Sequence, residues 1–375
     1  MCSFTVDSST GVLSRTGGTE CGSPGCGFLS LSGKGITSIA EGAFAGMVHL
    51  QVLDLSINSI SNISHHDLMD LVSLKTLNLR ENRITQLYNG TFWGLSSVEN
   101  ISLDHNWLSS IEPGAFQGLS SVQSLSLVDN QLSFISTGTL EGLSSLRDLD
   151  LSNNNLGNMT APGTFSGMPE LRRLTIRWQH SSSFHFGKDT FAGNFSQLAD
   201  LSISICWWCG ITPTSTIELG AFDGLTGLQS LLLYDSGLES ASLPAGLFLH
   251  SRSLVTLSLS GNSVSCITED TFAGLEDNLE SLSLHKNRIT EISGKAFYRF
   301  KRIRYLILSS NLISVLPVDI FSSRLFNSTD FYVSLVNNPL LCQPDSPGKG
   351  FISTSLSTLS LPRCPPDVSF RSAFF

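Results

Sequence analysis

Two cysteines separated by two tryptophans, Cys206 and Cys209, have the C-x-x-C spacing that redox and zinc sites use. Redox catalysis needs the first cysteine at the N-terminus of a helix, where its pKa is lowered. Cys206 instead stands at the end of a predicted strand, which disfavours that chemistry. Zinc would need two further ligands, and His180 and His185 could supply them only across long connecting segments. We therefore favour a local disulfide or two packed free thiols, and we predict no metal site and no cofactor.

The sequence carries none of the common catalytic motifs. It has no Gly-rich phosphate loop, no H-E-x-x-H and no G-x-S-x-G. Serine and aspartate are abundant, but no spacing brings a nucleophile, a base and an orienting carboxylate together. The sequence therefore predicts a protein that is not an enzyme.

Charged and aromatic residues concentrate instead in the middle of the chain. Arg, Trp and Tyr are the residues most enriched at binding hot spots, so this segment is a candidate ligand-contact surface. The alternative is that its arginines only form solvated ion pairs with neighbouring aspartates, each of which is worth little. The residues concerned are Asp148, Asp150, Arg172, Arg173, Arg177, Trp178, Asp200, Tyr234 and Asp235.

The elements that must position these residues are tandem copies of one sequence unit. Residues 74–97, 98–121 and 122–145 are three consecutive copies of 24 residues each. Their shared pattern, L-x-x-L-x-L-x-x-N-x-L followed by G-x-F-x-G-L, is the leucine-rich repeat signature. Because it is a period and not a single motif, the match is specific. Twelve copies begin at Cys26, Leu50, Leu74, Val98, Val122, Leu146, Leu171, Leu198, Leu228, Leu254, Leu279 and Ile303.

Each part of the unit has a structural role. The alternation of Leu77 and Leu79 puts both side chains on one face of a short strand. One strand cannot bury that face alone, so the copies must stack into a parallel sheet. The asparagine after the strand, Asn82 in this copy, can satisfy backbone groups in the turn and in the next copy. An outer column completes the predicted core: Phe44, Leu68, Phe92, Phe116, Leu140, Phe165, Phe191, Phe222, Phe248, Phe272, Phe297 and Phe321.

Three copies between Leu171 and Ser253 depart from the pattern. Their spacings are 27, 30 and 26 residues, and Gln179, Cys206 and Ser236 replace the asparagine. Because longer copies place extra residues in loops and not in the strand, we predict irregular curvature or a protruding loop here. Neighbouring parallel strands lie about 4.8 Å apart, so the candidate contact residues of successive copies should share one surface.

The composition and the sequons indicate which classes of partner and which cellular location are favoured. The net charge of −9 over 375 residues disfavours nucleic acid and anionic membranes as partners, and no long uncharged apolar run predicts a membrane span. The first ten residues have no basic start and no apolar segment, so no signal peptide is visible. Six N-x-[ST] sequons nevertheless give weak support to an extracellular or cell-surface location: Asn62, Asn89, Asn100, Asn158, Asn194 and Asn327.

Cysteines also flank the repeats. The ends of a solenoid expose the edge of its core, and extracellular solenoids commonly close these ends with disulfide-stapled caps. This placement favours an oxidising compartment. The terminal candidates for such bonds are Cys2, Cys21 and Cys26 before or at the first copy, and Cys342 and Cys364 after the last.

The Phe-bearing copies between cysteine-containing ends resemble the extracellular leucine-rich repeats of Slit proteins, Toll-like receptor ectodomains and lamprey variable lymphocyte receptors. The resemblance covers about residues 26–342. It implies an α/β solenoid, a horseshoe with a concave parallel β-sheet and about twelve repeats, whose concave face binds other molecules without identifying which. The NPLLC segment ending at Cys342 resembles a C-terminal cap that usually has four cysteines, which here implies one disulfide to Cys364. We accordingly predict an N-terminal cap at 1–27, repeats at 28–329, and a C-terminal cap and tail at 330–375.

Three hypotheses of function come from different classes. The leading hypothesis is a non-enzymatic recognition module, secreted or part of a cell-surface receptor, that binds a protein or glycan through the concave face. The second is a structural or adhesive matrix protein that self-associates through its edges or outer side. The third is an intracellular scaffold, which would explain the absence of a visible signal peptide but not the terminal cysteines.

Overall fold

The computed structural model describes residues 3–17, 27–159, 163–188, 190–191, 195–205, 213–317, 320 and 331–340. The chain divides into two compact units. Unit 1 comprises Met1–Ser181 and Asp189–Leu198, and unit 2 comprises Ser182–Lys188 and Ala199–Phe375. Both units consist mainly of short strands joined by turns.

The main sheet of unit 1 is parallel and has one strand per copy, in the order β3-β5-β6-β8-β10-β11-β13. A hairpin of β1 and β2 precedes it and pairs with β4, while β7 pairs with β9. The only α-helix among the described residues is α1 (His65–Leu68). The strands of unit 1 are β1 (Ser3–Val6), β2 (Val12–Gly17), β3 (Phe28–Ser30), β4 (Ser38–Ile39), β5 (Val52–Asp54), β6 (Thr76–Asn78), β7 (Gln86–Leu87), β8 (Asn100–Ser102), β9 (Ser110–Ile111), β10 (Ser124–Ser126), β11 (Asp148–Asp150), β12 (Asn158–Met159) and β13 (Arg173–Gln179).

Unit 2 repeats this plan. Its main sheet is parallel, in the order β15-β17-β18-β20-β22-β23, and β14 pairs with β16 and β19 with β21. A 3-10 turn spans Ser240–Ser242. The strands are β14 (His185–Phe186), β15 (Asp200–Ile205), β16 (Thr216–Ile217), β17 (Ser230–Tyr234), β18 (Thr256–Ser258), β19 (Cys266–Ile267), β20 (Ser281–Ser283), β21 (Glu291–Ile292), β22 (Tyr305–Ile307) and β23 (Tyr332–Ser334).

The core of each unit is a set of columns, one residue per copy. The strand leucines are fully buried, as Leu77 and Leu79 show. The outer column is buried wherever the structure describes it, and its rings stack between copies. Phe92 and Phe116 lie nearly parallel in unit 1, with ring centroids 6.0 Å apart. The prediction of a leucine-rich repeat solenoid with a parallel sheet is therefore confirmed.

The asparagine column links each copy to the one before it. The Asn82 amide donates hydrogen bonds to the carbonyls of Leu55 and Leu79, and its oxygen accepts one from the Ile60 N–H. The predicted break of this column does not occur at Gln179. The longer Gln179 amide donates to the Leu151 carbonyl at 3.0 Å and accepts from the Leu156 N–H at 2.9 Å.

In unit 2 the column does change at Ser236. Its hydroxyl reaches only the carbonyl of Tyr234 within its own copy. The next asparagine, Asn262, compensates because its oxygen accepts from the N–H groups of both Ser236 and Leu238. Cys206 lies outside the described residues.

The three longer copies have longer strands than the other copies. The strands β13, β15 and β17 have seven, six and five residues, whereas the other main-sheet strands have three. The extra residues nevertheless follow the strand, because Gln179 and Ser236 are the ninth residues of their copies, as Asn82 is in a copy of 24 residues. A longer strand adds backbone hydrogen bonds between neighbouring copies, as the five residue pairs of β15 and β17 show.

A left-handed residue precedes the asparagine position in most copies. Gly261 occupies this position in one copy with φ +73° and Ile57 in another with φ +55°. Glycine adopts this conformation freely, and asparagine tolerates it better than other residues do. For a β-branched residue the same conformation is strained.

Replacing Ile57 by asparagine should therefore stabilise the protein. Left-handed backbone costs an ordinary residue roughly 1–2 kcal/mol, and Ile57 is 56% exposed, so little packing is lost. We expect Ile57→Asn to raise the free energy of unfolding by about 1 kcal/mol in urea titration. An unchanged or lower value would contradict this, and Ile60→Asn, at a fully buried site, provides a destabilising comparison.

Candidate functional site

The sheet face of each unit is the side of the main sheet opposite the buried leucines. In β11, Leu149 is buried while Asp148 and Asp150 are partly exposed on the other side. The same alternation holds in β6, β10 and β20. The strands therefore present rows of side chains to solvent from fixed backbone positions.

Unit 1 brings two of the predicted contact residues into direct contact. Asp148 and Arg173 are paired in the strand register, and their Oδ1 and Nη1 atoms lie 3.2 Å apart. Both side chains are about half exposed. Arg172 is exposed just before β13, and Trp178 near its end is 44% exposed. We call these four residues, Asp148, Arg172, Arg173 and Trp178, the β13 patch.

The other two predicted residues of unit 1 have different roles. The Asp150 carboxylate accepts a hydrogen bond from the Ser152 N–H at 2.9 Å. The Arg177 N–H donates to the Ser152 hydroxyl at 3.3 Å, and the Arg177 side chain is half-buried. These residues shape the turn after β11 and border the patch.

The predicted residues of unit 2 do not form one cluster. In the sheet register Asp200 lies opposite Ser230 and Tyr234 lies opposite Ser204. Asp200 and Tyr234 therefore occupy opposite ends of the paired segment, about 13 Å apart along the strands at roughly 3.3 Å per residue. The expectation that consecutive copies would gather all these groups is not met within unit 2.

Asp235 has an unusual setting in unit 2. Its backbone is left-handed, and its carboxylate leans over Gly261, where an added Cβ would lie 1.9 Å from the Oδ1 atom. Partial burial raises the pKa of Asp235 above its usual value, and the nearby charges of Lys286 and His285 offset this only in part. The ionised carboxylate is thus held at some cost to stability.

The Asp235→Asn change should show this cost as a pH dependence. Since the folded pKa lies above the unfolded value of 3.8, the folded state binds the proton more readily, and wild-type stability falls as pH rises through this window. We expect Asp235→Asn to be more stable than wild type at pH 7, with the difference vanishing below the unfolded pKa. Thermal unfolding across the pH range measures it.

An exposed aspartate of opposite character provides the control. The hydrogen bond from Lys301 lowers the pKa of Asp277, so Asp277→Asn should be neutral or destabilising at pH 7. A common response of the two variants would show that the effect comes from net charge and not from the setting of Asp235.

Other polar networks on the sheet face of unit 1 were not identified from the sequence. Partial burial pushes the pKa of Asp54 up, but hydrogen bonds from Ser56, Ser30 and Asn78 together outweigh it and hold the pKa below its usual value. Asp104 similarly accepts from the Ser126 hydroxyl. Comparing residues one copy apart would have found these groups, since each bond joins neighbouring copies or the same turn.

A ladder of side chains also crosses four copies of unit 1. His105 contacts the Asp129 carboxylate, Asn153 donates to the same carboxylate at 2.7 Å, and His180 contacts the Asn153 oxygen at 2.7 Å. These residues stand beside the asparagine column or one residue from it. His180 is therefore engaged in this ladder.

The sheet face of unit 2 also carries a pair of tyrosines that the sequence pattern did not indicate. Tyr305 and Tyr332 lie opposite each other on β22 and β23, and Tyr305 is 53% exposed. The candidate contact residues were chosen mainly from the irregular copies in the middle of the chain, and these two tyrosines lie outside those copies.

Cys206 and Cys209, the two cysteines weighed above for redox or zinc chemistry, lie outside the described residues. His185 contacts the Thr216 hydroxyl and lies 3.3 Å from Glu218. No group of three or more potential metal ligands occurs within the described ranges. Cys266, in β19, is a half-buried free thiol. The disulfide candidates Cys2, Cys21, Cys26, Cys206, Cys209, Cys342 and Cys364 all lie outside the described residues.

The predicted sequons lie in different environments. Asn62 is exposed in an irregular segment before α1, Asn89 is exposed in a turn, and Asn100 is exposed within β8. Asn158 belongs to β12, and Asn194 and Asn327 lie outside the described residues. In the part of the chain that the structure describes, no helix has the length and apolar character needed to cross a bilayer.

The fold and the repeated columns define a leucine-rich repeat protein. The leucine rich repeat family model matches residues 28–84, 73–132, 96–156, 120–180 and 277–323, together more than half of the chain. The chain therefore belongs to the leucine-rich repeat family.

Particular relatives are similar over shorter stretches. Lumican of Rattus norvegicus is 38% identical over 94 residues, 25% of this chain and 26% of lumican. Toll-like receptor 3 of Boselaphus tragocamelus is 29% identical over 181 residues, 46% of this chain and 19% of that receptor. The chain thus spans about a quarter or less of the length of these relatives.

A solved structure shows the same fold over nearly the whole chain. It is a chain of the octameric complex of Latrophilin 3 (Lec, Olf), Unc5D (Ig, Ig2, TSP1) and FLRT2 (LRR). The TM-score is 0.59 at 21% identity, and the match covers 97% of this chain and 94% of that chain. At this identity the likeness concerns the fold alone.

Proposed function

We propose that this chain is a non-enzymatic recognition module, secreted or displayed at a cell surface, that binds a protein partner through the sheet face of unit 1. The observation that carries the proposal is the β13 patch. There the exposed Arg172, Arg173 and Trp178 stand on or beside one strand, next to Asp148 on its neighbour.

The physical argument is that the strands hold the patch in place before a partner arrives. Fewer side-chain and backbone motions are then lost on binding. Arg and Trp are the residue types that most often dominate protein interfaces. The exposed Asp148–Arg173 pair is worth about 1 kcal/mol at most, so a partner carboxylate can replace Asp148 at little cost.

The comparisons support this class of function. Toll-like receptor 3 is by name a receptor, and FLRT2 occurs in a complex with two other proteins. Because the fold hosts many kinds of ligand, the chemistry of the patch decides between them. Its charged groups and indole favour a protein surface over a hydroxyl-rich glycan, which remains the alternative ligand.

The test begins with a binding screen of the purified chain against an array of secreted proteins and receptor ectodomains. Any binder is then measured by biosensor against the double variant Arg172→Glu with Arg173→Glu, which reverses both arginine charges of the β13 patch. Loss of hot-spot contacts and reversal of charge should weaken binding by roughly tenfold or more. Unchanged affinity would remove the sheet face of unit 1 as the binding surface.

A matched control places the same charge change elsewhere. Arg299 and Arg302 flank the buried Phe300 in a turn away from the strands of unit 2, and both are exposed. Arg299→Glu with Arg302→Glu should leave the affinity within about twofold, because exposed charges away from the contact surface are screened by salt. Light scattering over a wide concentration range tests the alternative that the chain is a self-associating matrix protein. A monomer at every concentration would count against that alternative.

A further inference from the structure

The sequon at Asn100 differs from those at Asn62 and Asn89 because it belongs to a main-sheet strand. Asn100 is the first residue of β8, and β8 is the central strand of the seven in unit 1. The adjacent Ile101 is buried, while Asn100 is exposed on the opposite side. The side chain of Asn100 therefore points out from the sheet face.

The surroundings of Asn100 leave room above it. Its register partners on the two neighbouring strands are Thr76 and Ser124, both short side chains. No described residue makes a hydrogen bond with the Asn100 side-chain amide, whereas the nearby Asn78 amide is bound to Asp54. The amide nitrogen is consequently free for attachment of a group.

The hydroxyl required by the sequon belongs to the same strand. Ser102 lies two residues beyond Asn100, and its hydroxyl donates to the Asp104 carboxylate at 3.2 Å. The Lys75–Glu99 ion pair, at 2.6 Å, borders the other end of the site. Polar groups thus surround the position, so a hydrated sugar would lie on a compatible surface.

We propose that Asn100 carries an N-linked glycan that stands on the sheet face of unit 1 and confines protein binding to the β13 side of that face. The inference rests on the proposed extracellular location. In the transfer, the Asn100 amide nitrogen loses a proton and bonds to the anomeric carbon of a lipid-diphosphate-linked oligosaccharide, whose diphosphate leaves with the electrons of the broken C–O bond.

The strand register gives the position of the glycan relative to the β13 patch. Asn100, Ser124, Asp148 and Arg173 occupy one row across β8, β10, β11 and β13. At about 4.8 Å per strand, Asp148 and Arg173 lie roughly 10 and 14 Å from the attachment row. The sugar covers the centre of the sheet and leaves the patch beside it open.

Occupancy can be measured site by site on the full chain, secreted from cultured animal cells with an added leader. Glycosidase release in heavy-oxygen water converts an occupied asparagine to labelled aspartate. A Glu-specific protease then cuts after Glu81 and Glu99, which places Asn89 and Asn100 on different peptides. We expect label at Asn100. Asn100→Gln and Ser102→Ala should each remove one glycan mass, and Ser102→Thr should retain it.

The sequons at Asn62 and Asn89 serve as internal controls. They show whether a negative result contradicts only this inference or also the proposed function. Label at Asn62 and Asn89 without label at Asn100 overturns the inference and leaves the extracellular proposal standing. A secreted protein without label at any sequon overturns the inference and removes support for an extracellular location as well.

Whether the glycan covers the sheet face can be measured separately, from the rate of lysine modification. Lys75 lies beside Glu99 at the edge of the site, whereas Lys295 belongs to unit 2 and is exposed. A bulky amine-reactive reagent should modify Lys75 several-fold more slowly in the glycosylated protein than in Asn100→Gln, with no difference at Lys295. Equal rates at Lys75 would show that an attached glycan does not cover the sheet.

Discussion

Replacing Asn106 by alanine should lower the free energy of unfolding by about 3 kcal/mol. Asn106 is only 3% exposed, and its amide donates to the carbonyls of Leu79 and Leu103 at 3.0 Å each. Its oxygen accepts from the Ile84 N–H at 3.0 Å. Alanine would leave that N–H buried without an acceptor, which alone costs roughly 1–3 kcal/mol.

The two carbonyls would suffer less than the N–H group. Leu79 also accepts from Asn82, and Leu103 also accepts from Asn130. Each carbonyl therefore keeps one partner after the change, since an oxygen has two lone pairs. The predicted loss is for this reason well below that of three buried hydrogen bonds that would each leave a partner unpaired.

Urea unfolding and hydrogen exchange together measure the effect. Because each copy contacts mainly its neighbours, exchange should accelerate first in residues 74–121, the copies that Asn106 joins. Asn100→Ala, at an exposed site in the same copy, should stay within about 0.5 kcal/mol of wild type when both proteins are made without glycosylation. Equal losses in the two variants would contradict the proposed role of the column.

The repeated columns were predictable from the sequence because they meet the same neighbours in every copy. Leu77 is the register partner of Leu53 one copy earlier, Phe92 stacks on Phe116, and Asn82 bonds to the preceding copy. A 24-residue spacing therefore determines both the residue type and its burial. Once the period is recognised, the parallel sheet and its one-strand-per-copy order follow. The core therefore required no knowledge of side-chain packing.

The sheet face was less predictable because its contacts depend on strand register and length. Asp148 and Arg173 meet because they are direct register partners. Asp200 and Tyr234 do not meet, although they belong to neighbouring copies, because they lie in the first and last of the five register pairs that join their strands. The sequence pattern predicted that both pairs lie on the sheet face. It could not predict how far apart the two residues of a pair lie along the strands.

Side-chain length explains why the asparagine column continued at Gln179. Its additional methylene lets the amide reach the same carbonyl position that asparagine reaches in other copies, at Leu151. A pattern based on residue identity treats this as a break. The geometry requires only an amide at the correct place, which glutamine can supply on a strand of seven residues.

Two glycines at the same repeat position should respond differently to alanine. Gly94 and Gly142 both have left-handed backbone, with φ +93° and +98°. An added Cβ at Gly94 would lie 3.5 Å from the nearest atom, the Met69 oxygen, which is an ordinary contact. At Gly142 it would lie 2.5 Å from the Phe116 carbonyl oxygen and 3.0 Å from its carbon.

Both variants lose the conformational freedom of glycine, which costs roughly 1–2 kcal/mol in a left-handed position. Only Gly142→Ala must also displace backbone of the preceding copy, and overpacking of this kind costs about 1–3 kcal/mol more. We expect Gly142→Ala to be the less stable variant by that difference in urea unfolding. Because φ is nearly the same at the two sites, the difference in free energy of unfolding between the two variants measures the cost of the close contact between successive copies. Equal destabilisation would mean that the copies can separate without cost, and that the sheet face is less firmly supported than binding through fixed strands requires.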